Sequence, residues 1–287
     1  MKNWDLKSPD EKNVNSIGGG IARLIFSLLI FAVCVLIMLC VGPILLRKIG
    51  LHGVFVYEFA FLCLSLLGVI ISRQKLKEVF AVRMPKVNEI IGTVLLAYAS
   101  LRLVSLVNMW TGLFFPAYTY NAAIDRLLFL SNGIPYAILV AVLAPAICEE
   151  ALHRGFILSS TKVIKSTLLR VILAGILFGI NHWNLYQLLP MTLMGVCFAY
   201  IMIKTNNIII PIALHIINNS MVLFQASWLM KFPENISNAT AITELKGEEL
   251  TAVIKPAVIE TVVFMAVAGL CIFFGRRIMN KNKKGES

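Results

Sequence analysis

Charge is what this sequence has little of. Asp, Glu, Lys and Arg make up 14% of its 287 residues, against 59% hydrophobic. An ordinary soluble domain carries roughly 25% charged and 45–50% apolar residues. The deficit excludes a water-soluble globule, and it excludes a disordered chain, which needs the opposite bias. Paired cysteines are lacking too. Cys34, Cys40, Cys63, Cys148, Cys197 and Cys271 all fall inside apolar runs, and no two form a CxxC pair. They read as small apolar side chains rather than a disulfide framework or a zinc cage. The apolar runs show no period-two alternation, which removes a membrane β-barrel. No internal repeat and no separate soluble domain stand out.

What is present is a series of long apolar runs, at about 21–46, 54–71, 87–110, 134–161, 166–182, 186–204, 208–229 and 254–275. Most have the length that crosses a bilayer as a helix, the element that satisfies its own backbone in lipid. The expected fold is all-α: a polytopic membrane protein with about eight transmembrane helices in one bundle. The first run is too long for a signal-peptide core and no A-x-A site follows it, so it is kept as a span. The organisation expected is a polar arm at 1–20 ending in three glycines, three spans within 21–133, a polar-bearing membrane core at 134–229, a loop at 230–253, and a last span with a basic tail at 254–287.

The formal net charge of +11 does not point to nucleic acid, because the basic residues lie mostly between apolar runs. With eight spans and a cytoplasmic N-terminus, sixteen Lys and Arg fall in inner segments and six in outer loops. Membrane proteins collect Lys and Arg on the cytoplasmic side, so both termini are expected inside. The 230–253 loop, with Glu234, Glu244, Glu248 and Glu249, is expected outside. Its sequons at Asn235 and Asn238 would matter only in a eukaryotic secretory pathway. Abundant Ile, Lys and Asn suggest a bacterial cell membrane.

Against this background a few polar residues stand out. The fourth run carries Glu149, Glu150, His153 and Arg154 in mid-span. Each charge near a helix centre costs about 2.5–3.5 kcal/mol on insertion scales, so such a group implies a functional site or a water-filled cavity. Glu150 and Arg154 are four apart and can pair on one helix face. Glu149 lies about 100° further round and points elsewhere, so two adjacent acids can take different roles. Pro145 should remove one helical hydrogen bond and kink the helix near them. The fifth run ends in Phe178 and His182, four apart; the seventh holds His215 and Asn219, also four apart, with Pro211 four residues before. Burying Glu149, Glu150, Arg154, His182, His215 and Asn219 together is less costly than burying them apart. At about 1.5 Å per residue, Glu149, Asn219 and His215 lie roughly 18, 17 and 11 Å from the inner ends of their runs. His182 lies about 24 Å in, too far out for a common level by that rise. Arg102 is expected to pair with an acid or to snorkel, Arg170 to snorkel, and Met191, Met194 and Met202 to serve packing.

Glu149-Glu150-xxx-Arg154 resembles an EExxxR motif, Phe178-xxx-His182 an FxxxH motif, and His215-xxx-Asn219 an HxxxN motif. Together, in this order and on separate spans, they resemble the CPBP family of CAAX proteases and bacteriocin-processing enzymes, which includes the Ras-converting CAAX endopeptidases. The motif-bearing part is about 134–222. The resemblance implies an intramembrane endopeptidase in which Glu149 and His182 activate water, His215 and Asn219 stabilise the oxyanion, and Glu150 with Arg154 form a structural pair, Phe178 supporting. HExxH, GxSG and GxGD motifs of other intramembrane proteases are missing. The expected partners are the lipid bilayer and a membrane-associated peptide or protein substrate, prenylated or not, with no nucleic acid. No cofactor is expected; were zinc used, Glu149, His182 and His215 would be its ligands. Two other readings of the same residues are a proton-coupled transporter and a non-catalytic immunity or scaffold protein.

Overall fold

The computed structural model describes residues 17–229 and 240–280. Residues 1–16 of the expected arm, residues 230–239 with both sequons, and the basic tail from 281 lie outside them. The described chain is a helical membrane bundle. Helix α1 runs from Ile17–Leu36 through a π turn at Ile37–Val41 into Gly42–Ile49. It is followed by α2 (His52–Ile71), α3 (Val87–Phe114), α4 (Pro116–Leu128), α5 (Ile134–Val163), α6 (Thr167–Asn181), α7 (Leu185–Thr205), α8 (Ile209–Leu229) and α9 (Gly247–Asn280). Seven of these are long and apolar enough to cross a membrane, and α6 is a shorter apolar helix. These eight match the eight expected runs, and large apolar side chains cover their outer surfaces, as lipid requires.

Hydrogen bonds at the two ends show that successive spans alternate in direction. At one end Ser159 Oγ donates to Gln74 Oε1 at 2.9 Å, Asn207 Nδ2 to the Arg83 carbonyl at 2.6 Å, and Lys204 Nζ to Asn280 Oδ1 at 2.6 Å. At the other, Tyr136 Oη meets His52 Nδ1 at 3.3 Å and Ile242 N–H donates to the Leu113 carbonyl at 2.9 Å. Both termini of the described chain lie at the first end: Gly20 packs on Val163 and Gly92 on Met279.

Four expectations need correction. Gly18, Gly19 and Gly20 belong to the first turns of α1 rather than to an arm; a Cβ at Gly20 would come within 3.0 Å of Val163, so the missing side chain admits the end of α5. The last helix starts at Gly247, inside the expected 230–253 loop, with Glu248 and Glu249 in its first turn, where acidic side chains suit the helix dipole. A helix, α4, occupies 116–128, where no element was expected; its mixed polar and apolar composition hid it from a search for long apolar runs. Among the described residues Arg102 pairs with no acid; its guanidinium stands over the rings of Tyr98 and Phe264 at 5.4 and 5.1 Å. Arg170 donates to Thr161 Oγ1 at 3.1 Å. Met194 and Met202 are buried in the core.

Helices α6 and α7 approach each other backbone to backbone. A Cβ on Gly175 would lie 2.8 Å from the Thr192 carbonyl oxygen, one on Gly179 2.7 Å from that of Leu188, and one on Gly195 2.8 Å from Gly175 Cα. Glycines at these positions let two backbones touch, the usual device where lipid offers no hydrophobic force between helices. This contact fixes α6 against α7, and thus Phe178 beside Gly195.

Candidate active site

Helix α5 carries the acids through an irregular stretch. Pro145 lacks an N–H for the carbonyl of Ala141. The chain answers with a π turn at Ile138–Leu143, in which Ala144 N–H reaches back to the Leu139 carbonyl. The perturbation therefore appears as a widened turn before the proline. A second π turn, Ala151–Ile157, holds His153 and Arg154; such turns re-aim side chains and cluster at functional sites. Pro211, by contrast, stands in the first turn of α8, where the absent N–H costs nothing.

Glu150 is the centre of a tied knot. Arg154 Nη1 donates to Glu150 Oε1 at 2.9 Å, and His215 Nδ1 donates to the same oxygen at 2.9 Å. Arg154 Nη2 points to the Gly195 carbonyl at 3.4 Å. Glu150, Arg154 and His215 are all at most 2% exposed. The guanidinium also lies 4.3 Å from the centroid of the Phe178 ring. That ring, fully buried, makes edge contacts with His153, His182 and His215 at 5.2, 5.0 and 5.8 Å. Phe178 is thus the hub on which the cation and three imidazoles pack.

His182 closes α6. Its Nδ1–H donates to the Phe178 carbonyl at 2.9 Å, which leaves Nε2 as an acceptor in the neutral ring. The turn beyond it forces Trp183 to φ 44°, a left-handed backbone that bulky residues adopt at a cost. The depth mismatch expected from the sequence closes here. Counted from the turn joining α5 and α6, Glu149 is 14 residues from Val163 and His182 is 15 from Thr167, about 21 and 22 Å at the helical rise. On α8, Asn218 Nδ2 donates to Asn219 Oδ1 at 3.3 Å, leaving the Asn219 amide N–H groups as its donor end.

Glu149 is 7% exposed, and its Oε2 has no hydrogen-bond partner. It stands within electrostatic reach of His182 on α6 and of Glu58 on α2. Among the described residues, no three His, Cys, Asp or Glu side chains are arranged to hold a metal ion. His215, a candidate ligand from sequence, is turned by its Nδ1 into Glu150.

The structure therefore brings Glu149, Glu150, Arg154, Phe178, His182 and His215 into one polar centre, with Asn219 one helical turn further along α8 from His215. Two residues, Glu58 and Asn218, escaped the sequence reading, and a third, His153, stood out there in mid-span without being given a role. Glu58, 4% exposed, was detectable as the lone acid within the second apolar run. Asn218 positions Asn219. His153 is fully buried with neither ring nitrogen hydrogen-bonded, wedged edge-on between Phe31 and Phe178. The apolar recess of about 440 Å³ between α3, α7 and α9 includes none of these residues in its lining.

Comparison with known proteins meets this centre. Residues 131–221 match the family described as "Type II CAAX prenyl endopeptidase Rce1-like". The chain is 29% identical over 92 residues to the "Putative membrane peptidase YdiL" of Bacillus subtilis (strain 168). That alignment covers 32% of this chain and spans 38% of the relative's length. No solved structure matches. The matched segment runs from the start of α5 to α8 of this multi-pass membrane chain and contains every member of the three motifs.

Proposed function

We propose that the chain is an intramembrane endopeptidase that hydrolyses a peptide bond in a membrane-associated peptide or protein. One observation carries the reading: of two adjacent buried acids, Glu150 is tied to Arg154 and His215, while Glu149 is left without a hydrogen bond at Oε2 and within reach of His182. An acid so placed is suited to take a proton from water, which is what a general base must do. In the proposed step Glu149, helped by the Nε2 acceptor of His182, removes one proton as the water oxygen bonds to the substrate carbonyl carbon. Negative charge develops on the carbonyl oxygen, toward which the Asn219 amide donates. His215, its Nδ1–H already given to Glu150, joins through Nε2, which donates when that nitrogen also carries a proton. The C–N bond then breaks, and the nitrogen receives the proton held at Glu149.

The proposed chemistry uses no metal. Arg154 is a fixed cation near Glu149, unfavourable to a dication. The protein is proposed to sit in a bacterial cell membrane with both termini cytoplasmic, on the distribution of Lys and Arg.

The test uses purified full-length protein with two peptide probes, one ending in a farnesylated CAAX tetrapeptide and one the same peptide without the lipid. Wild type is expected to cleave at least one, and Glu149→Gln to lose about 10³-fold or more of that rate, at the upper range of general-base effects. Zinc should be well below one per chain, with activity kept in a strong chelator. Cleavage of neither probe, or full activity in Glu149→Gln, would overturn the reading in favour of a transporter or a binding protein. Stoichiometric zinc whose removal abolishes activity and whose return restores it would make Glu149, His182 and His215 ligands instead.

A further inference from the structure

A charged residue buried in a membrane span needs a partner or a task, and Glu58 is given neither by the steps above. It lies in α2, 4% exposed, with Oε2 lacking any hydrogen bond. The groups within electrostatic reach of it are Cys34 from α1, Tyr57 beside it on α2, and Cys148 and Glu149 from α5. Its charged neighbour among the described residues is thus a second carboxyl, the one assigned to water activation. Helix α2 packs along both the Ala144–Glu150 and the Ala151–Ile157 segments of α5, so the approach of the two acids is built into the bundle. Across it the order is Glu58 on α2, Glu149 on α5 and His182 on α6.

The cation near Glu149, Arg154, is already bonded to Glu150, and two neighbouring carboxyls in a low-dielectric site resist both holding a full negative charge. A proton shared by such a pair belongs to the pair rather than to either residue. We propose that Glu58 is a positioning residue of the hydrolytic site, forming with Glu149 a pair that holds one proton and one negative charge and so controls the proton traffic of Glu149. The inference rests on the endopeptidase reading. The balance is simple. The pair starts with one proton and gains a second from water as the C–O bond forms. It returns one to the nitrogen as the C–N bond breaks. The pair is neutral while the oxyanion exists, so two negative charges never stand side by side, and no co-reactant is needed.

The test compares wild type, Glu58→Gln, Glu58→Asp and Glu149→Gln in the same detergent, with the farnesylated and lipid-free peptides as probes. Glu58→Gln keeps the shape but cannot share a proton; its kcat should fall about tenfold to a hundredfold, with KM within about twofold and melting close to wild type. Glu58→Asp should recover part of kcat. Infrared spectra, which need no substrate, should show a protonated carboxyl band that moves in heavy water, present in wild type and lost in Glu58→Gln. Wild-type kcat in Glu58→Gln together with an inactive Glu149→Gln would overturn the role of Glu58 and leave the endopeptidase reading intact. An active Glu149→Gln would remove both. Should Glu58→Gln fail to fold, the wild-type infrared band and the kcat of Glu58→Asp decide: absence of the band overturns the proposal.

Discussion

Helix α5 divides two polar regions built from consecutive residues. On the side of α7 and α8, Glu150 accepts from Arg154 and His215, the guanidinium lies on Phe178, and its second nitrogen reaches the Gly195 carbonyl. On the side of α2, Glu149 and Glu58 lie within electrostatic reach of each other with an unpartnered oxygen apiece. Both regions are buried, so burial does not distinguish them; hydrogen-bond satisfaction does. A tied buried charge holds structure and resists change, because removing either partner strands the other. An untied one is poorly placed to stabilise a fold and well placed to exchange protons. One helical step of about 100° is enough to put neighbours in such different company.

Breaking the tied region should have the largest effect. Glu150→Gln leaves Arg154 buried beside an uncharged amide, and Arg154→Met leaves Glu150 without its cation; each should lose about 3–5 kcal/mol of stability. Thermal melting in detergent checks this, with Glu149→Gln as the reference expected to melt near wild type. Equal losses at Glu149 and Glu150 would remove the contrast between the two regions.

Next comes the seat on which the tied region rests. Gly175→Ala would drive a methyl to within 2.5 Å of Val196 and 2.8 Å of the Thr192 carbonyl. Parting α6 from α7 should cost about 1–3 kcal/mol, the usual range for overpacking. Gly269→Ala on α9, where a Cβ meets nothing within 4 Å, is the matched control and should melt as wild type does.

Phe178→Leu sharpens the comparison in a smaller way. It removes the ring that carries Arg154 and touches three histidines, at about 1–2 kcal/mol for a desolvated cation–π contact. Activity should fall further than stability, since His182 and His215 both lose the surface that sets their orientation. A rate unchanged within twofold would show that the hydrogen bonds alone orient them. The smallest perturbation is topological: reporter fusions at residues 120 and 240 should read outside and one at 80 inside. An inside signal at 240 would reverse the sidedness assigned to both regions without altering either.

Much of this was legible in the sequence, for stated reasons. A span announces itself by about twenty apolar residues, and all eight expected runs are helices in the structure. Amphipathic α4 gave no such signal, and the early start of α9 was hidden by Glu248 and Glu249. Within the site, Glu150–Arg154 was legible because four-residue spacing on one helix is a local matter. The His215–Glu150 bond was not, because it joins residues 65 apart in the chain. Glu58 was visible as a letter but not as a neighbour: nothing in the order of residues says that α2 lies against α5.

The sequence by itself determined the medium, the helices and the three motifs. Each depends on composition or on spacing within one turn, where the 3.6-residue period does the arithmetic. Only the tertiary structure decided which acid is tied and which is left open, that Phe178 is the common surface for Arg154 and three histidines, and that α5 runs on to Val163, which puts Glu149 near the level of His182. Those outcomes depend on how closely helices approach one another. That distance is set by small residues such as Gly175, Gly179 and Gly195, whose effect is the absence of a side chain and becomes visible only when the opposing helix is in place.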